Sequence, residues 1–334
     1  AITLGRAGAA VAVLDSQLLG EGASSRNGGQ VRSSPKQSEA ELTRRYGREI
    51  AHGILADFEA SDDFLRKRIA ESGISCHLEW HGAFIGAHTI RDFESLAARH
   101  AQLPLERQAE GRLVPPSELG TEIRTRIYKG GYVVREAGQL HPALYHAGLR
   151  RVARAHGVQL FSHLPVVRLE PDGKGHVARL GSGAAISARH VIVATNGYTG
   201  AVAPWVRNRL IPVRSYMIAT EMLPEADIRS LIPGDRPIAD TKRILYYYRT
   251  SPDRRRILFG GRASFRDIDA ATSARRLHRF MTGVFPELAD VTLTHAWFGN
   301  VAFAFDWLPH VGRHDGVWYA CACNGSGVAM LSFL

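Results

Sequence analysis

Residues 9 to 15 read AAVAVLD, an apolar run closed by an acid, and residues 20 to 31 read GEGASSRNGGQV, with almost no side chain to bury. A buried strand that leads into bare backbone constrains the fold more than any other feature of the chain. Consecutive valine, alanine and leucine suit a strand covered on both faces, as in the parallel sheet of an α/β layer. AITLGRAG, ahead of it, reads as the last turns of a helix stopped by Gly8. Helix, strand with terminal acid, then glycine-rich loop is the back half of a βαβ nucleotide-binding unit, where the strand-end carboxylate accepts hydrogen bonds from a ribose diol. Asp15 occupies that position, although a strand-end aspartate also serves as a plain turn residue. Gly22, Gly28 and Gly29, with small Ala23, Ser24 and Ser25, let backbone approach a flat or phosphorylated ligand, so the loop is expected to lie against one. The front half of such a unit, a strand and a GxGxxG turn, is not in the sequence, and the reading expects a chain truncated at its N-terminus.

The chain has 334 residues, 45% of them apolar, enough for a full core and more than one domain. No apolar run reaches the roughly 18 to 20 residues that span a bilayer, and no signal-peptide pattern opens the chain, so a cytoplasmic protein without a transmembrane segment is expected. Cys76, Cys321 and Cys323 make neither an even disulfide framework nor a CxxC pair, and read as reduced thiols with no metal site. The net charge is +10, but the arginines are scattered, as at Arg150 and Arg151 or Arg254 to Arg256, which argues for a solvated basic surface rather than nucleic-acid binding.

Helical spacing of Leu42, Tyr46, Ile50, Ile54, Phe58, Leu65 and Ile69 predicts one or two amphipathic helices over 36 to 72. HLEWHGAFIGAH reads as paired strands, RDFESLAARHAQL as a helix, GGYVVREAG as a strand and HPALYHAGLRRVARAHGV as a helix stopped by Gly157. A strand pair surrounds LPVVRLE, and HVIVATNGYTG opens as a strand. RLIPVRSYMIAT, RILYYYRT and RRILFGGR are rich in β-branched and aromatic residues and predict a larger sheet. SARRLHRFMTGVFPEL is a helix, and short strands close the chain around WYACACNGSGVAMLSFL.

Taken in order, GASSRNGGQ after VAVLD, EAGQLHPALYHAGL, HVIVATNGYTG, ILFGGRASF, HAWFG followed by DWLPHVG, and YACACNGSGVAM resemble the D-amino-acid oxidase superfamily of FAD-dependent amine oxidoreductases. The likeness runs over essentially the whole chain and is greatest to the branch that contains gamma-glutamylputrescine oxidase. It implies an α/β (α+β) fold, with a Rossmann-like FAD-binding domain discontinuous in sequence (1–75, 136–208 and 290–334). A substrate domain (76–135 and 209–289) is interleaved with it and built on a large, mostly antiparallel sheet. The resemblance gives Asp15 the adenosine ribose, and Ser24, Ser25, Arg26, Asn27 and Gly28 the pyrophosphate and flavin edge. It sets the backbone of Val167 at the adenine and Thr195, Asn196 and Gly197 in the turn that closes over the dinucleotide. Gly325, Ser326, Gly327 and Val328 match the turn whose N–H donors meet the flavin carbonyls. The C-terminus, like the N-terminus, reads as cut. Some relatives attach FAD through a cysteine in the stretch matched by Gly299 to Phe305, and none lies there, so the resemblance implies non-covalent FAD.

For chemistry, the resemblance implies oxidation of a CH–NH bond in a small-molecule amine, polyamine-like or an N-substituted amino compound. A hydride passes from the neutral amine to flavin N5, the imine hydrolyses, and oxygen or an electron carrier takes the electrons. The carboxylate-binding arginine of the glycine-oxidase branch is matched here by Asn300 and Val301, which weakens an α-amino-acid substrate. Tyr246, Tyr247, Tyr248, Trp297, Phe303 and Phe305 are candidate aromatic walls, with Arg249 and Asn300 as polar pocket candidates. Each tyrosine of the YYY run is as well suited to packing the core. His81, His141, His295 and His310 have no visible partner, and none is assigned as a base. Two rival readings are a D-amino-acid or glycine-type oxidase or dehydrogenase with its carboxylate anchor at Arg249 or Arg262, and a flavin-free, non-catalytic fragment of the fold.

Overall fold

The computed structural model describes residues 1–173, 175–242, 245–262 and 267–334. Arg243 and Ile244 of RILYYYRT, and Ala263 to Phe265 of ILFGGRASF, lie outside them.

Eight strands form the largest sheet, in the order Leu293–Ala304, Leu210–Thr220, Ile257–Gly261, Tyr246–Thr250, Ile238–Asp240, Ala83–Gly86, Gly131–Val134 and Gly111–Val114. All neighbours run antiparallel except Ile238–Asp240, which is parallel to Ala83–Gly86. Because side chains alternate along a strand, each strand sends one set of residues to either face. Tyr216, Ile218, Tyr248, Ile257 and Phe259 are fully buried on one face, where Leu277, Met281 and Val284 of the helix Ala270–Val284 cover them. Met217, Ala219, Arg249 and Leu258, one residue out of step, line a cavity on the other face. That pleat decides which side chains of the YYY run meet the site.

Two further parallel pairings lie outside the large sheet. Ala12–Leu14 runs parallel to Gln159–Phe161, and Ile192–Val193 parallel to Val317–Cys321, which also pairs with His310–His314. A separate core joins the helices Arg48–Glu71 and Pro142–Ala155 to the segment around Val31 and the C-terminal helix Gly327–Phe333, through Leu65, Ile69, Leu140, Tyr145, Val152 and Ala329.

Most expected elements form. The helical stretch of 36 to 72 is two helices, Glu39–Tyr46 and Arg48–Glu71, divided at Gly47, whose φ of 83° ends the first. A Ser38–Glu41 capping box starts it. The paired strands expected in HLEWHGAFIGAH reduce to one, Ala83–Gly86, since His77 (φ 51°) and Gly82 (φ 94°) turn the chain ahead of it and only Glu79 bridges across, to Gln139. The boundary drawn at residue 290 falls just before Leu293–Ala304, the edge strand of the large sheet, which pairs along its length with Leu210–Thr220. Among the described residues no helix is long and apolar enough to cross a membrane.

Candidate active site

The glycine-rich loop leaves the strand Ala12–Leu14, makes one short helical turn at Ala23–Arg26, and reaches Gly28 and Gly29 against the large sheet. Its bare side was expected to face a ligand. Where a side chain would stand at Gly28 and Gly29, the loop meets protein. A Cβ on Gly28 would stand 2.8 Å from Cε2 of Tyr247, and one on Gly29 would meet the Leu140 carbonyl. Gly29 also has a φ of 68°, so a turn conformation and a close approach both require glycine there.

Two sheet residues hold the loop by its carbonyls. Arg249 donates from Nε to Gly28 O (2.7 Å) and from Nη2 to Leu140 O (3.0 Å), and Trp297 donates from Nε1 to Arg26 O (2.8 Å). Loop and sheet enclose a cavity of about 1090 Å³, walled by Ser25 to Gly28 on one side and by Met217, Leu258, Trp297 and Phe298 on the other. Arg249, Arg256, His77, His141 and His295 also line it, and Asp253 is its single carboxylate. Asp253 is occupied, accepting from Ser251 Oγ and the Arg255 N–H, and these bonds hold its pKa below the usual carboxylate range. Burial, then repulsion from Arg249 and His77, depresses the pKa of His141. Its Nδ1 accepts the Leu144 N–H as the cap of helix Pro142–Ala155.

Of the pocket candidates, Trp297 and Arg249 line this cavity. Tyr246 and Tyr248 belong to the opposite face: Tyr246 stacks on Phe280 at 5.1 Å, and Tyr248, fully buried, stacks on Phe259 and shares a 2.8 Å hydrogen bond with the Tyr128 hydroxyl. The pleat assigns Tyr247 to the loop side, where its hydroxyl bonds Ser215 Oγ at 2.9 Å. Phe303 packs edge-on against Trp307, and Phe305 is 73% exposed. Asn300 ties the edge strand to the turn Asn196–Tyr198: its Nδ2 donates to Gly197 O (3.1 Å), and its N–H to the Tyr198 hydroxyl (3.0 Å).

The expected cofactor residues gather along one seam. At one end the Leu164 N–H bonds Asp15 O (2.8 Å), bringing the start of strand Val166–Asp172 beside the partly exposed Asp15, with Val167 exposed close by. Asp15 Oδ1 takes the Gln17 N–H at 3.0 Å. At the other end Asn196 accepts from the Ala322 N–H (2.9 Å) and donates to Cys323 Sγ (3.4 Å), which fastens the turn holding Thr195 to Gly197 onto the C-terminal turn. Asn324 Oδ1 takes the Ala304 N–H, and left-handed Asn324 and Gly325 (φ 47° and 92°) shape the backbone before Ser326, Gly327 and Val328. Lys36 Nζ lies 3.9 Å from where a Cβ on Gly325 would stand, and desolvation, with repulsion from Arg32 added, lowers its pKa. A strand-end carboxylate and a glycine-shaped turn with Lys36 beside it fit a dinucleotide with an anionic middle. Arg32 and Lys36 were not singled out from sequence; their spacing in QVRSSPK carries no motif, and only the fold brings Lys36 to the C-terminal turn.

A family described as DAO, FAD dependent oxidoreductase, matches residues 1–333. The chain belongs to this family. Within it, gamma-glutamylputrescine oxidoreductase of Escherichia coli K12 is 28% identical over 335 residues, 98% of this chain and 76% of that protein. Probable oxidoreductase OrdL of Haemophilus influenzae is 28% identical over 336 residues, 99% of this chain and 76% of that one. Glycine oxidase from Geobacillus kaustophilus has a similar fold, with a TM-score of 0.75 at 19% identity, covering 98% of this chain and 86% of its own. Iminodiacetate oxidase from Chelativorans sp. BNC1 gives 0.72 at 18%, covering 98% and 88%. The DAO chain is thus an FAD-dependent oxidoreductase. Among the described residues one side-chain cluster, Glu79, His81 and Asp235, has metal-ligand spacing, but Arg254 already pairs with both acids, at 2.7 Å and 2.5 Å.

Proposed function

We propose that this DAO-family chain oxidises a CH–NH bond of an amine bound in the cavity between the glycine loop and the large sheet. FAD, when bound, supplies the hydride acceptor for the substrate α-carbon. Asp15, the Ser24 to Gly28 loop, Thr195 to Gly197 and Gly325 to Val328 would hold it along the seam. The observation that carries the reading is the wall of the cavity. It adjoins the cofactor loop, is largely apolar and aromatic, and its one carboxylate is already engaged by Ser251 and Arg255. No free carboxylate base therefore faces the substrate among the described residues, and the remaining basic groups of the wall are the imidazoles of His77, His141 and His295. Release of a hydride from a neutral amine needs none, whereas removal of a carbon-bound proton would. Binding and orientation against Met217, Leu258 and Trp297 are then the main tasks of the protein, and the imine hydrolyses in water. The names of the relatives, which refer to gamma-glutamylputrescine, glycine and iminodiacetate, support an amine or amino compound.

Leu258→Trp tests the placement by filling the cavity floor. Flavin content should stay near that of the parent, while amine-driven flavin reduction is lost. Undiminished reduction would put the substrate elsewhere.

A further inference from the structure

We infer that His295 takes the proton from the substrate ammonium, through its Nε2, before the amine gives up a hydride. The inference rests on the proposed placement of an amine in this cavity. An alkylammonium like that of lysine ionises at about 10.4, so at neutral pH it must lose a proton before its nitrogen lone pair can assist release of a hydride. The wall offers the imidazoles of His77, His141 and His295 for that proton, and their hydrogen bonds sort them. His295 and Thr294 both reach the cavity because the strand Leu293–Ala304 bulges here: Ala219 pairs with His295 but Thr220 with Leu293, which leaves Thr294 as the extra residue. Bulges re-aim side chains in this way. His295 then shares one wall with Trp297, two residues on.

The Thr294 hydroxyl has one proton and two lone pairs to place. Its Oγ1 lies 3.0 Å from Thr220 O, which only accepts, 2.9 Å from Arg256 Nη1, which only donates, and 2.9 Å from His295 Nδ1. The proton goes to the carbonyl, since the two oxygens would otherwise meet lone pair to lone pair. The guanidinium fills one lone pair of Oγ1, and the other takes the Nδ1 proton. Neutral His295 therefore carries its hydrogen on Nδ1 and its lone pair on Nε2. His141 is set the opposite way: its Nδ1 accepts the Leu144 N–H, so its hydrogen lies on Nε2, and a second proton would break the helix cap. It stands in the cavity as a donor. Among the described residues no hydrogen bond orients the His77 ring. In the transfer the ammonium N–H bond breaks, its electron pair stays on nitrogen, and the proton joins Nε2 to give an imidazolium held through Nδ1 by Thr294. His295 is exposed, so the proton passes on to water. The other charged or titratable groups of the wall are Arg249, Arg256, Asp253, His77 and His141. The two arginines disfavour an ammonium and so favour its loss of a proton.

The test follows anaerobic bleaching of the flavin-loaded protein by putrescine, benzylamine and iminodiacetate as pH is raised from neutral to about 10. In the wild type the bleaching rate should level off well below the ionisation of the free amine. A rate that only tracks the fraction of neutral amine in solution overturns the inference, whatever the variants do. His295→Ala should slow bleaching at neutral pH about 100-fold, the low end of general-base effects, with flavin content, melting and dithionite reduction unchanged. Added imidazole, or a pH at which the amine arrives neutral, should restore most of the rate. Thr294→Val, which frees the ring to change tautomer, should lose a smaller share and recover in the same way. An undiminished rate in His295→Ala, or a deficit equal at every pH and not relieved by imidazole, overturns the inference and leaves the placement of the amine standing. If dithionite bleaches the wild type and none of the three amines does, the functional reading itself fails, and this inference with it.

Discussion

Gly28→Ala examines why the loop is bare. The new Cβ would lie 2.8 Å from Cε2 and 3.1 Å from Cδ2 of Tyr247, against about 3.5–4.0 Å for carbon atoms at rest. The ring has little room to retreat. Its hydroxyl is bonded to Ser215 Oγ at 2.9 Å, and its Cε2 and Cζ also pack closely over Gly260. Overpacking of this kind costs about 1–3 kcal/mol, and each kcal/mol lowers Tm by roughly 2–4 °C in large domains. Melting curves and bound flavin per chain should both fall in Gly28→Ala. If Tyr247 is the reason, Tyr247→Ala in the same chain makes the space, and the double variant should recover most of the loss, a coupling of about 1–3 kcal/mol in the cycle. Unchanged melting of Gly28→Ala would refute the packing argument. Flavin loss that Tyr247→Ala does not relieve would show that the bare backbone serves the ligand directly.

Three further outcomes follow from the same geometry. Tyr248→Phe should lower stability by about 1–3 kcal/mol, by leaving the buried Tyr128 hydroxyl unpaired, yet leave KM unchanged, since Tyr248 lies on the core face of the sheet. His141 has its pKa held below the ordinary 6.5, so its contribution to stability is complete above that value and is lost as pH falls below it. His141→Asn, which keeps a helix cap, should flatten that acid limb in pH-dependent melting. Asp15→Ala should loosen FAD by about 1.5–3 kcal/mol in a fluorescence titration; unchanged affinity would remove Asp15 from the ribose.

How much was legible in the sequence depended on whether local pattern or tertiary placement decided the outcome. The strand ending at Asp15, the helices over 39–71 and 142–155 and the long β-run at 210–220 declare themselves through periodicity and capping. The YYY run declared a strand but not its phase. Only the register with Ile257–Gly261 shows that Tyr248 packs against Phe259 while Arg249 turns to the loop. HLEWHGAFIGAH carries enough apolar residues for a strand pair, but the left-handed His77 and the turn at Gly82 break it, and a non-glycine residue in that region gives little local signal. That the Tyr247 ring, far along the chain, fills the space where a Gly28 side chain would stand is not written in the loop itself. Asn300 looked like a pocket residue for the same reason; its partners, Gly197 and Tyr198, come from a turn in the other part of the fold.

The most direct test of the whole account is anaerobic mixing of the FAD-loaded protein with a panel of amines, matched hydroxy acids and dithionite, read at the visible flavin bands. Primary or secondary amines should bleach the bands, and the hydroxy acids should leave them intact. Bleaching by dithionite and by hydroxy acids, but by none of the amines, would contradict it.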